Sequence, residues 1–183
     1  MALTKVSAEM GAGWRLIGTQ EASTSASLTQ TGLDSTYDTY VVVLSDLIPA
    51  TDNQALWIRL GDSSGIDSGA SDYRYHAQTA DSSAAAYAGI NSSGAAQLVT
   101  GTGVGNASGE AFSGTYFIGS PSDGSVYASV YGHASYLSAG TNTYIGTMSG
   151  HRNAVITLDR VQILFASGNI TSGRMSVYGV THA

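Results

Sequence analysis

Apolar and polar residues along this chain alternate with the period of a β-strand. Apolar residues rarely recur at helical spacing, and glycine or serine interrupts almost every window long enough for a helix. Clusters of Gly, Ser, Asn and Asp separate the strands and are typical of turns. The predicted strands span about 14–20, 24–31, 37–47, 54–61, 72–79, 95–100, 110–119, 125–133, 154–166 and 173–180. This pattern predicts an all-β fold, a two-sheet jelly-roll sandwich.

The strand in "YVVVLSDL" has apolar residues in both alternating sets, from Val41 to Leu44. A strand with this pattern is covered on both faces. The other sheet would cover one face, and we expect something else, such as a neighbouring subunit, to cover the other.

The stretch "VITLDRVQILF" changes register in its middle. The apolar set that contains Ile156 and Leu158 is out of phase with the set that begins at Val161. This shift predicts a bulge or bend near Asp159 and Arg160, as in a strand that passes from one sheet to the other.

The chain is expected to consist of one domain with a short N-terminal arm. Residues 1–13 lack strand alternation, whereas residues 14–183 carry the strand pattern. We expect the arm to dock the domain onto a larger particle, with Lys5, Val6 and Met10 as its contact residues.

Composition excludes several classes of function. A chain of 183 residues with 43% hydrophobic content can bury a core, and the absence of cysteine excludes disulfides, thiol catalysis and Cys-based zinc sites. Only 11% of residues are charged and the net charge is −6, so a cationic stripe for nucleic acid is not expected. No apolar run is long enough to predict membrane insertion, and synthesis in the cytoplasm is expected.

The loop after the fourth predicted strand contains a match to the nucleophile elbow of hydrolases, "GDSSG" at 61–65. An elbow needs a strand, a strained turn and then a helix, and "IDSGASDYRYH" does not predict a helix. We therefore interpret Ser63 as a turn residue.

Three aspartates follow one another at a spacing of five, Asp62, Asp67 and Asp72. Their carboxylates, with nearby serine hydroxyls and loop carbonyls, are oxygen ligands of the kind that calcium takes, although the spacing matches no EF-hand. The alternative is turn formation, since Asp accepts a hydrogen bond from the backbone two residues on.

The sequence marks out no catalytic site and no cofactor. The histidines are far apart and occur in no metal-binding or general-base motif, and the few glutamates form no marked acid pair. The histidines are His76, His133, His151 and His182. We expect the protein not to be an enzyme and to need no metal.

Aromatic and basic side chains on strand faces are the better indication of function. Along "SVYASVYGH" the side chains of Tyr127, Tyr131 and His133 are expected to share one face. Tyrosine gives a large contact area at low entropy cost, which favours interfaces and sugar-stacking surfaces. For Tyr127 and Tyr131 we favour a subunit interface.

The stretch "SDYRYH" predicts that Arg74 and His76 lie on the face opposite Tyr73 and Tyr75. The two tyrosines fit core packing and an interface equally well. Arg59 would join the polar face if its strand paired antiparallel through the 61–71 loop. The candidate interface or glycan-facing residues are Trp57, Arg59, Arg74, His76, Tyr127, Tyr131 and His133.

Three segments carry a family resemblance: "YDTYVVVLSDLIPATD", "DSGASDYRYH" and "SGNITSGRMSVYG". With them, nearly all of residues 14–183 resembles a group of tailed-bacteriophage virion proteins described as structural or tail proteins. Separately, "MALTKVS" resembles the first residues of some phage tailspikes and fibres. The resemblance implies a trimeric jelly-roll virion component, and it implies no catalytic residue.

The leading hypothesis is therefore a bacteriophage structural protein on the particle surface, either a head or tail fibre or a decoration subunit. Its expected partners are copies of itself, other virion proteins and host surface polysaccharide. A stand-alone carbohydrate-binding module is the alternative, and it predicts sugar binding by an isolated monomer. A depolymerase or esterase is a third interpretation, for which the sequence supplies no acid pair or triad.

Overall fold

The computed structural model describes residues 13–181, apart from the side chains at 84–86 and 181, and its regular elements are all strands. Between residues 13 and 181 there is no helix long and apolar enough to cross a membrane. In chain order the strands are β1 (Gly13–Glu21), β2 (Leu28–Thr31), β3 (Thr39–Pro49), β4 (Gln54–Asp62), β5 (Gly65–Ile66), β6 (Tyr73–Asp81), β7 (Ala84–Ala95), β8 (Leu98–Val104), β9 (Phe112–Gly119), β10 (Ser129–Leu137), β11 (Thr143–Arg152), β12 (Arg160–Phe165) and β13 (Ile170–Thr181).

These strands form two antiparallel sheets. The large sheet has the order β1-β13-β3-β9-β10-β11-β6-β7, and the small sheet has the order β2-β12-β4-β5, with β8 also paired to β4. The chain passes from sheet to sheet so that β1-β13-β3-β9 face β2-β12-β4-β8, which is jelly-roll connectivity. The predicted all-β jelly-roll sandwich is confirmed.

Two hairpins widen the large sheet beyond the eight jelly-roll strands. The β10–β11 hairpin pairs with β9, and β6, from the β6–β7 hairpin, pairs with β11. Each hairpin adds outward-facing positions to the large sheet. The candidate site lies on this extension.

The core lies between the two sheets and is rich in tyrosine. Tyr40, Tyr73, Tyr116 and Tyr136 from the large sheet are among the largest fully buried side chains. Apolar residues of β4 belong to the same buried cluster. Burial of four phenol rings contributes apolar area to the core and also requires partners for their hydroxyl groups.

Strand β3 is covered on both faces, as predicted. Tyr40 and Val42 belong to the core cluster, while Val41, on the opposite face, is also completely buried. The neighbours of Val41 in the ladder are Tyr178 of β13 and Phe117 of β9. The outer cover of Val41 therefore comes from this chain's own sheet.

The predicted strand at 154–166 is only partly correct. Strand β12 begins at Arg160, where the bend was predicted, but residues 154–159 form no strand, so the chain passes from β11 in the large sheet to β12 in the small sheet through a loop. Instead, the Leu158 amide donates to the Pro121 carbonyl and the Asp159 amide donates to the Gly61 carbonyl. Single hydrogen bonds to a loop and to the end of β4 replace a ladder.

The strand boundaries differ most around the two hairpins. Strand β10 starts four residues later than the predicted start at 125, and the sequence pattern did not predict β7 or β11. Three residues proposed to dock the N-terminal arm lie outside the described residues: Lys5, Val6 and Met10. His182, near the other end of the chain, also lies outside them.

Candidate functional site

Three neighbouring strands of the large sheet present a polar surface to solvent. Along β6, β10 and β11, buried or half-buried inward side chains alternate with outward side chains that are mostly exposed. We call the outward set the polar face, and its members are Arg74, His76, Gln78, Ala80, Ser129, Tyr131, His133, Ser135, Thr143, Ile145, Thr147, Ser149 and His151. The face thus unites four predicted site residues, Arg74, His76, Tyr131 and His133.

Strand register arranges the polar face in rows. Tyr131 of β10 lies opposite Ser149 of β11, which in turn lies opposite His76 of β6. His133 lies opposite Thr147 in the adjacent row. Side chains directly opposite each other in an antiparallel ladder have Cβ atoms about 5 Å apart, so an extended ligand could contact several rows at once.

The third histidine on the polar face, His151, pairs with Arg74 across the β11–β6 ladder. The ring of Tyr127 stacks on the His151 ring at 5.4 Å between centroids with an interplanar angle of 16°. Tyr127 precedes β10, so the expectation that it shares a strand face with Tyr131 and His133 is wrong. It reaches the polar face through this stacking contact instead.

Arg74 is held over the sheet by a backbone contact. Its Nε donates to the Ser93 carbonyl of β7 at 3.4 Å. The His76 ring lies beside Gly89 of the same strand, within 3.6 Å of the position a Cβ would take there. Strand β7 therefore positions both basic side chains while leaving them exposed.

A second surface, the aromatic row, runs across the other half of the large sheet. Ladder register places Leu16, Tyr178, Val41, Phe117 and Tyr131 side by side on five consecutive strands. We define the aromatic row as these residues together with Trp14.

Ring contacts join the members of the aromatic row. Trp14 packs against Tyr178 at 5.8 Å and against the edge of Phe117 at 6.3 Å, and Phe117 stacks on Tyr131 at 5.4 Å. Trp14 and Leu16 nevertheless remain 52% and 54% exposed. Large apolar side chains with that exposure are typical of a surface that another molecule covers.

Sequence reasoning missed most of this row. Trp14, Phe117 and Tyr178 are distant in the sequence, and each is an ordinary strand residue when its own strand is considered alone. Only the strand order β1-β13-β3-β9-β10 brings them together. No local motif marks them.

Arg59 and Trp57 do not belong to either surface. The expectation that Arg59 joins Arg74 and His76 is wrong, because β4 lies in the small sheet and does not pair with β6. On the outer side of the small sheet, the Arg59 guanidinium lies 5.7 Å from the centroid of the Trp57 ring, and its Nε donates to the Ala96 carbonyl.

The segment with the elbow-like sequence forms a tight turn between β4 and β5. Gly61 and Asp62 pair with Ile66 and Gly65, and no helix follows. The Asp62 carboxylate accepts hydrogen bonds from the Ser64 amide and hydroxyl, and these bonds lower the pKa of Asp62. Asp62 therefore has the turn-forming role that was the alternative to calcium binding.

Asp67 and Asp72 converge on an arginine rather than on Asp62. Arg152 Nε donates to Asp67 at 2.8 Å, and Arg152 Nη2 lies 3.3 Å from Asp72. Burial alone would lower the pKa of Arg152, but the two carboxylates hold it above the ordinary value. Within residues 13–181 no three His, Asp or Glu side chains lie close enough to hold a metal ion, so the aspartates do not form the calcium cage considered above.

Tyr73 is a core residue that ties strand β4 to the loop after β5. Its ring is fully buried, and its hydroxyl accepts from the Leu60 amide at 2.7 Å and lies 2.9 Å from the carbonyls of Leu60 and Asp67. Burial raises the pKa of Tyr73 well above its ordinary value. Of the two roles considered for this tyrosine, the structure shows core packing.

Comparison with models of protein families, with curated proteins and with solved structures finds no match for this chain.

Proposed function

We propose that this chain is a structural subunit on the surface of a bacteriophage particle, where it associates with copies of itself as a trimer. The body would be the jelly-roll domain, and residues 1–13 would dock it to other virion proteins. The assignment to a virion is motivated by the resemblance of residues 14–183 to tailed-bacteriophage virion proteins. The composition of the particle would show whether the subunit belongs to the head or the tail.

The observation that carries the self-association is the aromatic row. Trp14 and Leu16 on β1 and Tyr131 on β10 border a continuous apolar strip whose centre holds the buried Val41 and the half-buried Phe117. Aromatic residues at the centre of a patch, with few charges nearby, are characteristic of protein interfaces. A copy placed over this strip would remove the most exposed rings from water.

Low surface charge supports the same proposal. Only 11% of the residues are charged, so subunits can approach one another without strong repulsion between them. Serine, threonine and glycine dominate the remaining surface, and these residues suit close packing between symmetric copies.

The oligomeric state tests the self-association directly. Light scattering and native mass spectrometry of the purified chain should give the mass of a trimer. Leu16→Ser should shift this mass toward the monomer, because it removes apolar area from the edge of the aromatic row. Ile145→Ser is the matched control: Ile145 is also 54% exposed on the large sheet but lies outside the row. A monomeric native chain, or equal dissociation by both variants, would refute the interface.

The composition of the particle tests the virion assignment. Quantitative mass spectrometry of purified phage that encodes this chain should detect it as a structural component, and a chain lacking residues 1–13 should be lost from the particle. A particle without the protein would show that the virion assignment is wrong, even if the purified chain is a trimer.

A further inference from the structure

The polar face differs in charge from the rest of the molecule. The chain has 13 acidic residues and a net charge of −6. Glu9 lies outside the described residues, and none of the other twelve acidic residues is a member of the polar face. The face holds Arg74 instead. It also holds His76, His133 and His151, which are all the histidines of the described residues. An acidic protein therefore presents one face without carboxylates.

No carboxylate faces these imidazoles from the neighbouring strands of the sheet. His133 lies between Thr115 of β9 and Thr147 of β11. His76 lies between Ser149 and Asn91.

The surroundings of His151 are similar. It lies between Ser129 and Arg74, with the Tyr127 ring stacked on it. An anionic ligand would therefore meet no carboxylate directly opposite any of the three rings in the ladders.

The neutral side chains of the face indicate the second property of its ligand. Tyr131 and Tyr127, 47% and 50% exposed, offer ring faces, and serine, threonine and Gln78 supply hydrogen-bonding groups between the basic side chains. Pyranose rings stack on tyrosine, and their hydroxyls bond to such groups. Duplex nucleic acid would require a denser cluster of lysine and arginine.

We propose that the polar face binds an acidic polysaccharide, with Arg74 and the histidines contacting its carboxylates and Tyr127 and Tyr131 contacting its sugar rings. An extended chain suits the flat β10–β11–β6 surface better than a small molecule does. The inference deepens the proposed function, because it gives the particle-surface subunit a class of host ligand. It requires no contribution from the aromatic row beyond Tyr131.

Matched ligands separate charge from sugar recognition. Sodium polygalacturonate should bind the purified full-length chain, as measured by biolayer interferometry at pH 6 and low salt. Its methyl-esterified form has the same sugar without the charge and should bind roughly tenfold more weakly or not at all. Poly-L-glutamate supplies the carboxylates without sugar rings and should also bind weakly. Equal binding of the ester, or of polyglutamate, would overturn the proposal.

A matched pair of variants places the site on the large sheet. Arg74→Gln should weaken polygalacturonate binding roughly threefold or more, and combination with His76→Gln should weaken it further. Arg59→Gln is the control: it removes the same charge, and Arg59 makes the same kind of Nε bond to a backbone carbonyl, but on the small sheet. An equal loss in both single variants would refute the location.

The outcome is distinct from that of the proposed function. Polysaccharide binding by a chain that is monomeric or missing from virions would retain the site and reject the structural role. Conversely, if Arg74→Gln dissociated the trimer without changing sugar binding, the polar face would be an interface between copies and the inference would be wrong.

Discussion

At the scale of single residues, Arg152 is the most connected charged group of the described structure. It bonds to Asp67, approaches Asp72 and the Asp72 carbonyl, and lies 6.0 Å from the centroid of the Tyr73 ring. It therefore joins the end of β11 to the 61–72 loop. The loop that resembles a catalytic motif is held by a structural ion pair.

Replacement of Arg152 tests this role. Arg152→Met should lower the free energy of unfolding by about 2 kcal/mol, because two partly buried carboxylates lose their partner. Arg174→Met is the matched control, since the Arg174–Glu21 pair is exposed and 4.0 Å long, and it should change stability by less than about 0.5 kcal/mol. Urea unfolding at pH 7 measures both values. Similar losses of unfolding free energy in the two variants would show that the ion pairs of Arg152 stabilise the protein no more than the exposed Arg174–Glu21 pair does.

Two tyrosines on the same strand allow a test of buried hydrogen bonding. Tyr73→Phe should cost about 1–2 kcal/mol, because the amide and carbonyls near its hydroxyl lose a partner inside the protein. Tyr75 is half-buried and its hydroxyl makes no hydrogen bond in the described structure, so Tyr75→Phe should be close to neutral. Chemical unfolding of the two variants gives the comparison. A neutral Tyr73→Phe would contradict the assigned role.

At the scale of the elements, paired irregularities bend β3 and β13 at the same place. Asp46 of β3 has a φ of 53°, and Gly173 of β13 has a φ of 112°. The β13–β3 ladder and the β3–β9 ladder both shift register there. A Cβ at Gly173 would lie 2.5 Å from the Asp46 carbonyl oxygen. Only glycine satisfies both the backbone angle and the close approach.

Gly173→Ala should therefore destabilise the protein by about 2–4 kcal/mol. Gly124→Ala serves as the control, because a Cβ there meets nothing within 4 Å and the backbone is not in the left-handed region. Thermal unfolding measures both. If Gly173→Ala were as stable as Gly124→Ala, the bend would have to adjust more easily than its geometry indicates.

The strands that could be predicted from the sequence are those whose inward positions carry large apolar side chains. Strand β4 was predicted within a residue because Leu56, Ile58 and Leu60 alternate with polar or amphipathic neighbours. Strand β11 was missed because two of its inward positions are Gly146 and Gly150, which give no apolar signal. Glycine is used at Gly150 because a side chain there would collide with Leu98 and the Arg74 carbonyl.

The candidate site was predictable only within single strands. Alternation along "DYRYH" places Arg74 and His76 outward, and this needs no knowledge of the rest of the fold. The position of Arg59 depends on which sheet its strand joins, and that choice is made by long-range pairing of β4 with β12 and β8. The aromatic row depends on the order of five strands and so had no local signal.

At the scale of the whole molecule, the large sheet separates two kinds of surface on one side of the sandwich. The aromatic row occupies the strands from β1 to β10, and the polar face occupies β10, β11 and β6. The two meet at Tyr131. A subunit that joined its copies at the β1 end of the row, through Trp14 and Leu16, would leave Tyr131 and the rest of the polar face free for a ligand, and in that arrangement the two proposals are compatible.

The core tyrosines give the whole molecule a distinctive response to alkaline pH. Burial raises the pKa of Tyr136 to about 12, and burial also raises the pKa of Tyr73 and Tyr116. In the unfolded chain a tyrosine ionises near pH 10. Because the folded pKa is higher, the stabilisation from the neutral phenols is fully present below pH 10 and is lost as the pH rises toward the folded values.

We therefore expect a nearly constant stability up to about pH 9.5 and a steep loss between about pH 10 and 12. Each buried tyrosine should contribute up to about 1.4 kcal/mol of lost stability per pH unit in this window. Tyr136→Phe should reduce the slope by one such contribution while lowering stability at neutral pH, since its hydroxyl bonds to the Thr102 backbone. Urea unfolding at intervals between pH 8 and 12 measures the slopes, and a Tyr136→Phe slope equal to that of the native chain would show that this phenol ionises as readily in the folded state as in the unfolded one.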